Sequence, residues 1–193
     1  MAAKQLLSQM AEMQSNVKAD LLDRGVFLRN LVFVAFVIKA SEDILRVAIE
    51  HSEGSLREYF CRHLEEESGH YEWLKRDLQF AGIVLDDCAI PSEAVAMAGS
   101  QYYLAKHVHP AAVLGYIAAL ECFAMPLEAV AELERLYGKE ICATLRYHAE
   151  HDVDHGADVL AVIDQIDPKY QRMIADNAVQ TLLYIQHAIK RLA

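Results

Sequence analysis

The stretch from about Arg24 to His51 restricts the fold most. Phe27, Leu28, Leu31, Val32, Phe33, Val34, Phe36, Val37 and Ile38, followed by Ile44, Leu45, Val47 and Ile49, are too dense for a one-sided surface helix. Such a segment is a long helix buried over much of its circumference, or two helices meeting near Ser41. Apolar residues make up 54% of the chain, with only 8 glycines and 4 prolines, which argues against disorder and against a loop-rich all-β architecture. At 193 residues the expectation is a single all-helical domain over 1–193, with residues 1–20 peripheral.

The remaining helices follow from periodicity and punctuation. A short amphipathic start covers Lys4 to Val17. Beyond Gly54 a second core helix runs from Ser55 to Phe80 and stops at Gly82. Ser92 opens another, to Lys106. Pro110 begins one that continues through Glu121 to Tyr137, with a kink at Pro126. Lys139 to Ile163 and Asp167 to Arg191 complete the set. Six or seven helices around one core is the predicted architecture.

The formal charge of -10 and the lack of a Lys/Arg block make nucleic acid an improbable partner. Cys61, Cys88, Cys122 and Cys142 form no CxxC pair, so neither a structural zinc site nor a disulfide framework is indicated. The start of the sequence carries no secretory-signal pattern, and the apolar runs are too short to span a bilayer. The expectation is a soluble cytoplasmic protein, with a homodimer as the prior for so apolar a small chain.

Near the carboxy terminus His148-Ala149-Glu150-His151-Asp152-Val153-Asp154-His155 interrupts this ordinary helical pattern. At about 100° per residue His148, Asp152 and His155 share one narrow stripe, with His151 beside them. The second core helix offers His63, Glu66, Glu67 and His70. With His70 as origin these fall near 20°, about -40° and about 60°, again on one side. Glu67-x-x-His70 and Asp152-x-x-His155 repeat the acid-x-x-His spacing by which helical di-iron proteins take two ligands from one helix. Glu66 is the natural substitute for Glu67, and His63 and His151 are assigned to outer or surface positions.

Glu121 stands alone in an apolar helix, and an ionised carboxylate buried there costs several kcal/mol unless paired, protonated or metal-bound. The competing partner is Lys39 or Arg29 of the first long helix. For the histidine stripe the competing reading is a buried polar network. Together Glu67, His70, Glu121, His148, Asp152 and His155 supply three carboxylates and three imidazoles. That set suits two Fe(II) ions, or manganese, with positions left for O2 and substrate. His51, His107, His109 and His187 are read as incidental.

The order Glu67-x-x-His70, Glu121, then His148-x-x-x-Asp152-x-x-His155 resembles the haem-oxygenase-like di-iron oxidases and oxygenases, over about residues 25 to 190. Glu66-Glu67-Ser68-Gly69-His70, continuing into Trp73-Leu74-Lys75-Arg76-Asp77-Leu78, resembles the same family's second-ligand-helix signature. The resemblance implies a haem-oxygenase-like bundle holding two irons in those six residues. It also implies O2 as co-substrate, an external electron donor, and a small, carboxylate-bearing organic substrate. Haem oxygenases and thiaminase-like hydrolases share the fold, so fold alone does not choose. The first use a histidine on their first helix, and none precedes His51 here; the second need a nucleophilic cysteine, for which Cys122 is the candidate. A metal-storage or metal-sensing protein would use the same ligands without a substrate cavity. Lys39, Arg29, Tyr102, Tyr103, Tyr116 and Tyr147 are candidates to line such a cavity or anchor a carboxylate.

Overall fold

The computed structural model describes residues 2–14 and 20–192. The described residues form nine α-helices and no strand: α1 (Ala2–Gln14), α2 (Arg24–Glu50), α3 (Gly54–Glu67), α4 (His70–Phe80), α5 (Ser92–His107), α6 (Val113–Glu121), α7 (Leu127–Tyr137), α8 (Ala143–Gln165) and α9 (Pro168–Leu192). Seven stretches were expected, and two of them are broken, which accounts for nine. The carboxy-terminal end of the first expected helix, residues 15–17, lies outside the described residues.

α2 is continuous through Ser41. Asp23 caps it, its carboxylate accepting from Val26 N at 2.9 Å. Ser41 does not break the helix because its hydroxyl donates back to Val37 O at 3.0 Å, inside the existing hydrogen-bond pattern. α3, α4 and α5 pack around α2, so its apolar residues are covered on most sides.

The second expected helix is interrupted at Ser68-Gly69, which corrects the reading of one helix from Ser55 to Phe80. Gly69 adopts φ 94°, a left-handed conformation that costs other residues about 1–2 kcal/mol. Its N–H, freed from the helix, donates to Glu42 Oε1 on α2 at 3.1 Å. The turn ends α3 at Glu67 and restarts the chain as α4 at His70.

The stretch from Pro110 to Tyr137 is likewise two helices: Pro126 separates them instead of kinking one. α6 ends at Glu121, and residues 122–126 cross to α7 without helical structure. α8 begins at Ala143, later than Lys139, where the carboxylate of Asp77 on α4 accepts from Thr144 N at 2.7 Å and caps the first turn from another helix.

α6 is the innermost element, packed on α9 and α8. Two glycines permit this. A Cβ on Gly115 would lie 2.1 Å from Ile174 O, so the α6 and α9 backbones touch. A Cβ on Gly156 would lie 3.0 Å from Glu121 O and 3.1 Å from Cys122 Cα, so α8 meets the end of α6 at the residue that bears the isolated carboxylate. At the other end of the chain, Ala3, Leu6 and Met10 of α1 are buried against α8 and α9. No helix among the described residues is long and apolar enough to cross a membrane.

Candidate metal centre

The two helix breaks and the contact of α6 with α8 bring four helix segments to one point. Glu67 ends α3, His70 opens α4, Glu121 ends α6, and His148, Asp152 and His155 come from one face of α8. The structure places donor atoms of Glu67, His70 and His148 within 4.8 Å of one another, and likewise those of Glu121, Asp152 and His155. His63, Glu67 and Glu121 form a third such group that joins the other two. All six residues singled out from the sequence therefore meet in one cluster.

His63 is the addition. It was assigned to an outer position, but it lies one turn before Glu67 on α3 and is buried. That spacing of four was the available signal, and it survives the break at Gly69 because both residues precede it. Glu66 faces outward, with its oxygen 3.7 Å from His63 Nδ1, and takes no part in the cluster. His151 is exposed too, its Nδ1 2.8 Å from Tyr147 O.

The hydrogen bonds in the cluster leave lone pairs unused. His70 Nδ1 lies 3.1 Å from Glu67 Oε2, and His148 Nδ1 lies 2.9 Å from Asp152 Oδ1. His155 Nδ1 approaches Glu121 Oε2 at 3.5 Å and Glu67 Oε1 at 3.9 Å, beyond useful hydrogen-bond length. Among the described residues Glu67 Oε1, His70 Nε2, Glu121 Oε2, His148 Nε2 and His155 Nδ1 are buried with no hydrogen-bond partner. Each such atom costs about 1–3 kcal/mol if nothing satisfies it. Five in one place, all of ligand type, fit divalent metal ions far better than a closed polar network. His148 and Asp152 also show the carboxylate–imidazole pairing that orients a metal-ligating histidine.

The electrostatics agree. Burial pushes the Glu121 carboxyl up to about 7, and the contact with Glu121 raises His155 to about 9. Without metal this pair retains a proton that a cation would displace. For Glu67 burial acts upward, but the hydrogen bond and charge of His70 outweigh it and hold the carboxyl below its ordinary value. Burial lowers His63 to about 4, so its imidazole is neutral and its lone pair free at neutral pH. For His148 burial acts downward and is outweighed by Asp152, which raises it.

Neither cation proposed as a partner for Glu121 reaches it. Lys39 is exposed, with Nζ 5.1 Å over the Tyr71 ring, and Arg29 is exposed on α2. Beside the cluster lies a cavity of about 290 Å³. His63, Glu67, Glu121, His148 and Asp152 line one part of it, and side chains such as Phe33, Val37, Leu45 and Phe123 line the rest. Among the described residues no lysine or arginine lines it. Of the candidate tyrosines only Tyr116 does, its hydroxyl 2.7 Å from Ser41 Oγ. Since Ser41 spends its proton on Val37 O, Tyr116 donates and Ser41 accepts. Thr144, one turn before His148, adds a buried hydroxyl with no hydrogen-bond partner among the described residues, at a position that no motif marks.

An all-helical bundle with a carboxylate–imidazole cluster opening into an apolar cavity defines the class as a helical protein with a candidate metal centre. The family whose model matches residues 29–185 is described as iron-containing redox enzyme, and the chain belongs to that family. None of the curated proteins matches. Among solved structures, a TenA homologue from Pseudomonas syringae is similar with a TM-score of 0.79 at 14% identity, covering 99% of this chain and 92% of that one. A domain of unknown function with a haem oxygenase-like fold from Shewanella denitrificans gives 0.73 at 13% identity, with 98% and 89% covered. A TenA homologue from Pyrococcus furiosus gives 0.70 at 13% identity over 100% of both chains. At such identities these structures establish the fold alone.

Proposed function

We propose that the protein is a non-haem di-iron oxidase or oxygenase that uses O2 to oxidise a small, largely apolar organic molecule. The observation that carries this reading is the set of five unpartnered, buried carboxylate and imidazole atoms at the edge of an apolar cavity. Glu67, His70 and His148 would hold one ion, and Glu121, Asp152 and His155 the other. His63 lies with Glu67 and Glu121 in the third group of close donors and would be available to either ion. Manganese fits the same oxygen and nitrogen donors.

Bound iron would supply one-electron and O2 chemistry that no side chain provides. The chain's own part is to bind, orient and exclude water. Phe33, Val37 and Leu45 hold an apolar substrate against the cluster, where its removal from water also strengthens the local electrostatics. The Asp152 carboxylate fixes the His148 ring through Nδ1 and leaves Nε2 toward the ions. A carboxylate-bearing substrate meets no lysine or arginine along the cavity among the described residues, so its charged end would face the cluster. An external reductant would supply electrons.

The hydrolase alternative depends on Cys122. Burial, with the Glu121 carboxylate beside it, pushes that thiol up to about 12, and its Sγ donates toward Gly156 O at 3.8 Å, so the thiolate is disfavoured. The cavity beside the cluster likewise favours an enzyme over a storage or sensing protein. Anaerobic titration with Fe(II) tests the proposal: two ions bound per chain, followed by an O2-dependent absorbance transient that Glu121→Ala abolishes. Absence of stoichiometric binding, or of any transient, would sink it.

A further inference from the structure

We propose that Trp73 and Tyr147 form a one-electron relay between the metal centre and the protein surface, passing oxidising equivalents from the centre to an external reductant. The inference rests on the oxygen chemistry proposed above. Its basis is a continuous string of ring contacts. His70 has no exposed surface, and its imidazole centroid lies 4.5 Å from the Trp73 indole, one turn along α4. Tyr147, preceding His148 on α8, stands edge-on to His70 at 5.2 Å and to Trp73 at 5.0 Å. Its other face stacks on His151 at 4.0 Å and 16°, and His151 is exposed.

The path from a buried imidazole of the cluster to solvent thus contains no gap of saturated side chains. Electron tunnelling falls steeply with distance, and indole and phenol are among the side chains most readily oxidised by one electron. Both occupy the middle of this string. Tyr147 also borders a surface depression formed with Glu134, Lys139, Arg146 and Glu150, open to a small polar reductant.

The step balances as follows. Tyr147 would give up one electron by way of Trp73 to bound iron that O2 has oxidised in the absence of substrate, and would release its phenolic proton to water. An enediol such as ascorbate, or a thiol, then returns one electron and one proton and restores the phenol. The centre is thereby discharged without oxidation of its own ligands.

The test uses full-length protein loaded anaerobically with Fe(II), mixed with O2 and frozen at intervals for electron paramagnetic resonance. The expected result is an organic radical, altered in line shape by ring-deuterated tyrosine, absent from metal-free protein and removed by ascorbate. Tyr147→Phe should lose this tyrosyl signal and Trp73→Phe should diminish it, with bound iron unchanged. Tyr170→Phe, whose ring stacks on His109, serves as the control and should retain it. Bound iron and the O2-dependent absorbance transient are measured on the same samples. If either is missing, the proposed function fails. If both are present while no radical forms, or the radical persists in Tyr147→Phe and Trp73→Phe, the relay is overturned.

Discussion

The cluster is built from two kinds of helical surface, and they differ in how they place their ligands. On α8, His148, Asp152 and His155 sit on one uninterrupted helix, where a repeat of 3.6 residues is enough to align them. On the opposite side, Glu67 and His70 flank a break, and a left-handed glycine brings the chain back so that the two side chains approach to 3.1 Å. The first arrangement depends on periodicity alone. The second depends on one backbone conformation and on its anchor to Glu42.

The largest expected effect comes from the regular side. His148→Ala removes an atom from the cluster and also strands Asp152, so Fe(II) binding measured by titration should be abolished. His151→Ala, three residues away but pointing outward, should bind two ions as the unaltered protein does. Loss of binding in both would mean that the helix, and not the stripe, is the requirement.

Next comes the place where the regular helix meets α6. Gly156→Ala puts a methyl group 3.0 Å from Glu121 O, backbone that cannot rotate away. The expected cost is about 1–3 kcal/mol in denaturant unfolding. Weaker Fe(II) binding should accompany it, because Glu121 moves relative to His155. On the irregular side, Gly69→Ala meets nothing closer than Trp73 Nε1 at 4.0 Å but must hold φ 94°, so a loss of about 1–2 kcal/mol is expected, with metal binding weakened through His70. If Gly69→Ala cost nothing, the special turn would have no role in setting the site.

The smallest effect is a pH trend in the metal-free protein. His155 is raised by Glu121 to about 9, above its unfolded value, so its contribution to stability is fully present below about pH 6.5 and is lost as pH rises toward 9. Glu121, raised by burial to about 7, acts in the same direction at lower pH, where the lowering of His63 to about 4 opposes it. The clean window is therefore pH 6.5 to 9. There the melting temperature without metal should fall, while the increment produced by Fe(II) should grow as the competing proton leaves. Thermal unfolding with and without the ion checks both slopes.

The same contrast explains what was legible in the sequence. The α8 stripe and the apolar setting of Glu121 could be read because helix geometry converts spacing directly into placement. Glu67 and His70 were selected on a continuous-helix angle that does not exist, since Gly69 intervenes; they still meet because the turn spans little distance. His63 shares the same face by angle, but the acid-x-x-His spacing already supplies a ligand pair without it, so only the approach of α3 to α6 shows it beside Glu67 and Glu121. Pro126 marks the split between α6 and α7 locally, but the late start of α8 depends on a tertiary partner, the Asp77 carboxylate, that no local pattern announces. The cavity is likewise a product of packing between α2, α6 and α8, so the outward direction of Lys39 and Arg29 could be read only from the fold.

The most direct measurement is anomalous diffraction from crystals soaked in Fe(II) without O2, recorded on both sides of the iron absorption edge. The account predicts two iron peaks, one among Glu67, His70 and His148 and the other among Glu121, Asp152 and His155. A map without iron at these residues, or with iron held elsewhere in the chain, would contradict it.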